Sequence, residues 1–287
     1  MKRGDILGIR PRLLYVSNIR GNNVDIFNLS NPENPTHVRE FGDIGELSAP
    51  SGFMVTDDIL YVANAGDNSV EIYDISSPIF PRHVKKFGEP GELTNPNALA
   101  IAGNALYVTN LIPDTIEIYD ITDPINPIHF DRFGEGELNG PNGFVILGDL
   151  LYVSNSGNQT ITIYNISDPF HPDHIKAFGD ATQLSNPIGL AISGNTMYVA
   201  NFQFGFASTV TMYDMTDPLN PAFVRRFDSG GLSGPTEIAV IDDLLYVVNL
   251  NNGTVSIFDL ADPRDPEPVM VFGGGELNTP FGLIQVI

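Results

Sequence analysis

One carboxylate stands where five equivalent positions carry small residues. Two residues after a recurring Pro the chain has Gly52, Ala98, Gly143, Gly189, Glu237 and Gly282. An acid placed where the other copies need a small side chain calls for a cation or for hydrogen-bond donors. The residues beside it in the repeat are Ser51, Asn97, Asn142 and Thr236, a set of oxygen donors suited to a hard cation such as calcium. A calcium held by Glu237, Asn97 and Asn142 would polarise a carbonyl or a water, as in a metal-dependent hydrolase. In an open, watery channel the same acid would only tune the local potential.

Two further features depart from, or recur with, the repeat. The loop Asn201–Thr209 is three residues longer than counterparts such as Asn155–Thr160, and it carries Phe202, Phe204 and Phe206. Three Phe in an extended loop suggest an apolar anchor for a partner or a lid, unless they fold back into the channel. The Gly-Glu-Leu motif places Glu46, Glu92, Glu137 and Glu276 in equivalent loops. These acids would bind cations or steer a basic partner, or else cap loops anchored by Leu47, Leu93, Leu138 and Leu277; Gln183 and Gly231 replace the acid in two copies. His37, His83, His129 and His174 share one repeated place ahead of an outer strand and are expected to be packed or solvated, not zinc ligands. There is no Gly-x-Ser-x-Gly elbow, no His-Glu-x-x-His and no phosphate-binding loop leading into a helix, so no catalytic residue is named from motifs.

The elements that position these groups follow from a repeat near 46 residues, marked by Tyr15, Tyr61, Tyr107, Tyr152, Tyr198 and Tyr246. Each Tyr is followed three residues on by an Asn, from Asn18 to Asn249, expected to cap a turn. Each unit reads as four short strands rich in Val, Ile, Phe and Tyr, separated by Gly, Asn, Asp and Pro, with no helical period. Six such units predict an all-β, six-bladed β-propeller with four antiparallel strands per blade. The blades are expected at 13–41 with 281–287, then 51–87, 97–133, 142–178, 188–227 and 236–272, as one domain over 1–287. The segment Gly275–Ile287 matches the start of a unit and stops, so its strand should complete the first blade and remove an open edge. Gly4–Ile9 lines up weakly with the same strand and competes for that place.

The 287 residues include no cysteine, which removes disulfides, thiolate metal sites and cysteine nucleophiles. A formal charge of −21 argues against nucleic acid and favours cations or a basic protein. Acids gather in the links that should share a face with the second-to-third strand loops, which predicts an acidic face. No apolar run is long enough for a membrane span, and no secretory signal core follows Met1-Lys2-Arg3.

The block Val-x-Ile-Tyr-Asp-Ile-Ser/Thr-Asp-Pro-x-x-Pro, as in Ile116–Pro127 and Val210–Pro221, resembles the LVIVD repeat. Leu-Tyr-Val-x-Asn resembles the YVTN repeat, and Phe-Gly-x-x-Gly-Glu-Leu-x-x-Pro-x-Gly-Leu-Ala-Ile is similar to the NHL repeat. The resemblance covers nearly the whole chain and implies a propeller, commonly secreted or surface-associated, while a cytoplasmic place stays open. These motifs are structural and carry no activity. The leading expectation is a non-enzymatic binding or scaffolding propeller that engages a protein or other ligand through its acidic face and the Phe loop. The alternative is a calcium-dependent hydrolase or lactonase with its site at the central channel.

Overall fold

A computed structural model of the chain describes residues 11–42, 45–88, 91–203, 208–229 and 231–287. Six four-stranded antiparallel sheets account for all its regular structure, and among the described residues there is no helix. The innermost strands are Pro50–Thr56, Pro96–Ala102, Pro141–Leu147, Pro187–Ser193, Pro235–Ile241 and Pro280–Val286. Each touches the next around the ring, and Pro235–Ile241 touches Pro280–Val286, which in turn touches Pro50–Thr56. The chain is a six-bladed β-propeller, as its repeat predicts.

Local sequence explains the strand ends. The first hairpin of a blade turns on Asp57, Gly103, Gly148, Gly194 or Asp242, all with φ between +49° and +59°. Gly and Asp are among the residues that tolerate this left-handed conformation in a tight turn. Each innermost strand then carries a register slip two residues from its start, as between Pro50 and Phe53 or Pro235 and Ile238. Such bulges re-aim side chains, and Glu237 lies inside one.

Closure of the ring takes the expected form. Pro280–Val286 pairs antiparallel with Leu13–Asn18, with Leu13 opposite Val286, Tyr15 opposite Ile284 and Val16 opposite Leu283. Gly4–Ile9, the competing segment, lies outside the described residues. A sixfold clasp joins successive blades: the hydroxyl of each repeat Tyr donates to a Pro carbonyl in the next blade. Tyr61 reaches Pro124 at 2.6 Å, Tyr107 Pro169 at 2.6 Å, Tyr152 Pro218 at 2.8 Å and Tyr198 Pro263 at 2.6 Å. Tyr15 reaches Pro78, and Tyr246 reaches Pro32 across the closure. Burial pushes these phenols upward, so they remain donors throughout the neutral range. The Phe that ends an outer strand fills the seam between blades; Phe41 packs edge-on to Tyr15 and Tyr73, with centroids 5.4 and 5.2 Å away.

The six repeat Asn side chains tie the upper loops to the sheets. Each Oδ1 accepts a backbone N–H from the preceding link, as Asn64 does from Ser48 at 2.6 Å, and each Nδ2 reaches the third strand. In three blades it meets a buried acid, Asp25, Glu71 or Glu117, whose other oxygen binds His37, His83 or His129 at 2.7 to 2.8 Å. In the other three blades it meets Thr162, Thr211 or Ser256 at 2.8 to 2.9 Å. The repeated His are therefore not merely packed or solvated: three of them hydrogen-bond buried acids, a pairing invisible in the repeat because the acid and the His sit 12 residues apart. We predict that Glu71→Ala alone costs about 3 kcal/mol in chemical denaturation, because His83, Asn64 and Ser69 lose their partner. The double change Glu71→Thr with His83→Phe, which copies Thr211 and Phe223 of the fifth blade, should recover most of it.

Candidate functional site

The second residues of the innermost strands form a ring at one mouth of the central channel. Ser51, Asn97 and Asn142 occupy it on the second to fourth blades. Ile188 and Phe281 stand on the fifth and first blades, with Thr236 between them. The mouth opens into a vestibule of about 320 Å³, lined by Ser51, Asn97 and Asn142 on one arc and by Ile188, Phe202 and Phe281 on the other. Thr236 is fully buried and donates to the Phe281 carbonyl at 2.9 Å, so it presents no free hydroxyl.

Immediately below, a chamber of about 170 Å³ occupies the axis, walled by Phe53, Met54, Leu99, Phe144, Leu190 and Leu283 among others. Its one charged lining residue is Glu237. The third-position glycines exist because inner strands meet closely here: a Cβ at Gly52, Gly143 or Gly282 would stand 2.4, 2.2 or 2.1 Å from a carbonyl oxygen of the next blade. Gly189 makes the room that Glu237 uses, since a Cβ there would lie 2.8 Å from Glu237 Oε1.

Glu237 is half-buried, walled by the apolar chamber and open to the channel, which leaves a path for water. Oε1 accepts the Ile238 N–H at 3.0 Å; among the described residues no donor reaches Oε2. Desolvation in the apolar chamber pushes the carboxyl up to about 7, opposed only by that backbone hydrogen bond. A carboxyl poised there exchanges a proton at neutral pH, the requirement for a general acid or base.

The structure gathers some of the expected residues and separates others. Asn97 Nδ2 donates to Asn142 Oδ1 at 2.7 Å, and Asn142 Nδ2 donates to the Gly140 carbonyl at 2.9 Å. Calcium takes six to eight oxygens, several of them usually carboxylate. Here the Asn142 oxygen is occupied, Glu237 is one residue deeper and on the blade opposite Asn97, and no group of three His, Cys, Asp or Glu converges among the described residues. Glu237, Asn97 and Asn142 therefore do not form the calcium ligand set expected from the repeat. Ser51 Oγ donates to the Asn97 carbonyl at 3.0 Å. Glu46, Glu92 and Glu137 accept from the Tyr73, Tyr119 and Tyr164 hydroxyls at 3.3, 3.1 and 2.9 Å, so they serve the loop-capping role. Glu276 has no such donor, because its third-strand counterpart is Phe27. The Gln183 replacement still accepts from Tyr213 at 3.0 Å, and Gly231 faces Phe258, which has no hydroxyl.

Phe202 is only 6% exposed and faces the vestibule, so it is not a surface anchor. Phe204 and Phe206 lie outside the described residues. The apolar arc was not singled out from the sequence, although the signal was there: Ile188 and Phe281 break the Ser/Asn/Thr pattern at one register position.

Solved structures share this fold. A putative 6-phosphogluconolactonase from Bacteroides fragilis superposes with a TM-score of 0.69 at 14% identity, covering 96% of this chain and 84% of that one. A periplasmic gluconolactonase from Pseudomonas aeruginosa gives 0.70 at 16%, covering 96% and 85%. A chain of a nidogen/laminin complex gives 0.70 at 16%, covering 96% and 98%. At these identities they show the fold alone. No protein-family model matches the chain, and no curated protein matches it.

The leading expectation of a non-enzymatic scaffold is corrected here. Solved structures of the same fold include proteins named as lactonases. Of the expected anchor, Phe202 points inward, and Glu46, Glu92 and Glu137 accept from tyrosines. Among the described residues no helix is long and apolar enough to cross a membrane.

The raised carboxyl has a consequence for stability. Below about 4.5, the ordinary Glu value, the acid is protonated whether folded or unfolded and costs nothing. As pH climbs from there through about 7, the folded state must hold a charge it disfavours, so stability contributed by the neutral carboxyl is lost. Glu237→Gln should therefore melt above the parent at pH 8 and level with it at pH 4. Thermal melts across that range read the gap directly.

Proposed function

We propose that this propeller, taking 1–287 as one domain, is a hydrolase of small lactones or related esters, with the reaction at the axial channel and Glu237 as general base. The observation that carries this reading is Glu237 itself, a lone carboxylate near neutrality with an unpartnered oxygen, below a vestibule sized for a small molecule. The lactonase names borne by structures of the same fold support it. So does the repeat, whose likeness to LVIVD and YVTN sequences explains the scaffold and leaves the site to the one residue that departs from it.

Ionised Glu237 takes a proton from water as the water oxygen bonds to the carbonyl carbon. The tetrahedral intermediate then expels the ring oxygen, and the carboxyl returns the proton to it, giving the open hydroxy acid. Asn97 stands on the opposite blade with its Oδ1 and one N–H unused by the protein, placed to hold the substrate from across the axis.

Hydrolysis of a panel of γ- and δ-lactones, followed with a pH indicator, tests the proposal. Glu237→Gln should lower kcat/KM by about 100-fold or more, the usual contribution of a general base. In the parent, kcat/KM should rise with pH along a limb near 7, and that limb should vanish in the variant. Gly189→Ala should also lower kcat/KM, because its Cβ displaces the carboxylate. Turnover of no lactone above the spontaneous rate, or full activity in Glu237→Gln, would sink the proposal.

A further inference from the structure

The vestibule carries information about its ligand that the chamber does not. Among the described residues none that lines it is charged. Arg20 lines an adjoining depression, which shares Ile19 with the vestibule and is completed by Leu250, Asn251 and Thr279. A phosphate or carboxylate on a ligand would thus enter a protein of charge −21 and find no lysine or arginine in the vestibule wall.

The wall is mixed. Ser51, Asn97 and Asn142 follow one another on three adjacent blades, where Ala65 and Leu111 also line it, and Phe281, Ile188 and Phe202 stand on the other side together with Asn186. Within the polar arc the hydrogen bonds are directional: Ser51 donates to Asn97's carbonyl, Asn97 to Asn142, and Asn142 to Gly140. The chain leaves one polar acceptor over. Asn97 is 8% exposed, and among the described residues nothing donates to its Oδ1. That oxygen is open to the vestibule, where a ligand hydroxyl can take the place of water on it.

We infer that the vestibule selects an uncharged ligand, with a hydroxyl that donates to Asn97 Oδ1 and an apolar flank that packs on Phe202, Ile188 and Phe281, and that it rejects phosphorylated analogues. This rests on the hydrolase reading only for the site's purpose; the recognition chemistry stands on the vestibule itself. Asn97 is the specificity-determining residue. A ligand hydroxyl at this oxygen gains a hydrogen bond that a ligand lacking it does not make.

Inert ring compounds separate recognition from turnover. With the full chain, 1,5-anhydro-D-glucitol and its 6-phosphate are titrated by calorimetry or ligand-observed NMR. The neutral compound should saturate with a Kd at least about tenfold below that of the phosphate, a ratio equal to one good hydrogen bond or ion contact. Asn97→Leu should weaken the neutral compound by about tenfold. Ala65→Arg, at the vestibule wall, adds the missing cation and should tighten the phosphate by about tenfold without depending on any loss of structure. The inference is wrong if the phosphate binds as tightly as the neutral compound, if the neutral compound does not bind, or if Ala65→Arg leaves the ratio unchanged. Lactone turnover without the neutral preference would overturn this inference alone; the preference without turnover would overturn the hydrolase reading alone.

Discussion

Six inner strands converge on the axis so closely that, at one level, side chains scarcely fit between them. Carbonyl oxygens of neighbouring blades approach the Cβ positions of Gly52, Gly143 and Gly282 to within van der Waals overlap. That constraint makes the third position of each inner strand a site for Gly or Ala, and it divides the channel into an open vestibule and a narrow chamber. A carboxylate admitted at this level is largely desolvated by the apolar chamber walls, which is why Glu237 holds its proton toward neutral pH.

Convergence of this kind needs the ring to be held shut. The tyrosine clasp supplies a directional bond between every pair of successive blades, and its last member, Tyr246 to Pro32, spans the closure together with the Pro280–Val286 strand. Because bonds of one type repeat six times, the blades hold equal spacing and the axial geometry is set by the whole ring. Stability is distributed differently around that ring. Three blades use buried acids hydrogen-bonded to His at this place and three use hydroxyls.

The site inherits its chemistry from departures against this regular background. Glu237 departs from Gly, Ile188 and Phe281 depart from Ser and Asn, and the Phe202 loop departs in length. All three departures face the axis, where residues from different blades meet. The regularities explain themselves structurally: loop glutamates accept from tyrosines, and repeat asparagines bind link amides.

Much of the fold was legible in the sequence. Constant spacings between Tyr, Asn, Pro and Phe fixed strand number, blade number and the strand that closes the ring, because each spacing is the length of a hydrogen-bonded ladder that cannot stretch. Glu237 was legible too, as a charge at a position that five copies keep small. What the tertiary structure alone decided was partnership. It joined Glu71 to His83 through a bulged ladder, turned Phe202 inward, and tied Asn97 to Asn142 across two blades, with Glu237 on the blade opposite Asn97. A repeat gives the radial level of each residue but not the direction in which its side chain points, and direction is settled only when six strands pack around one axis.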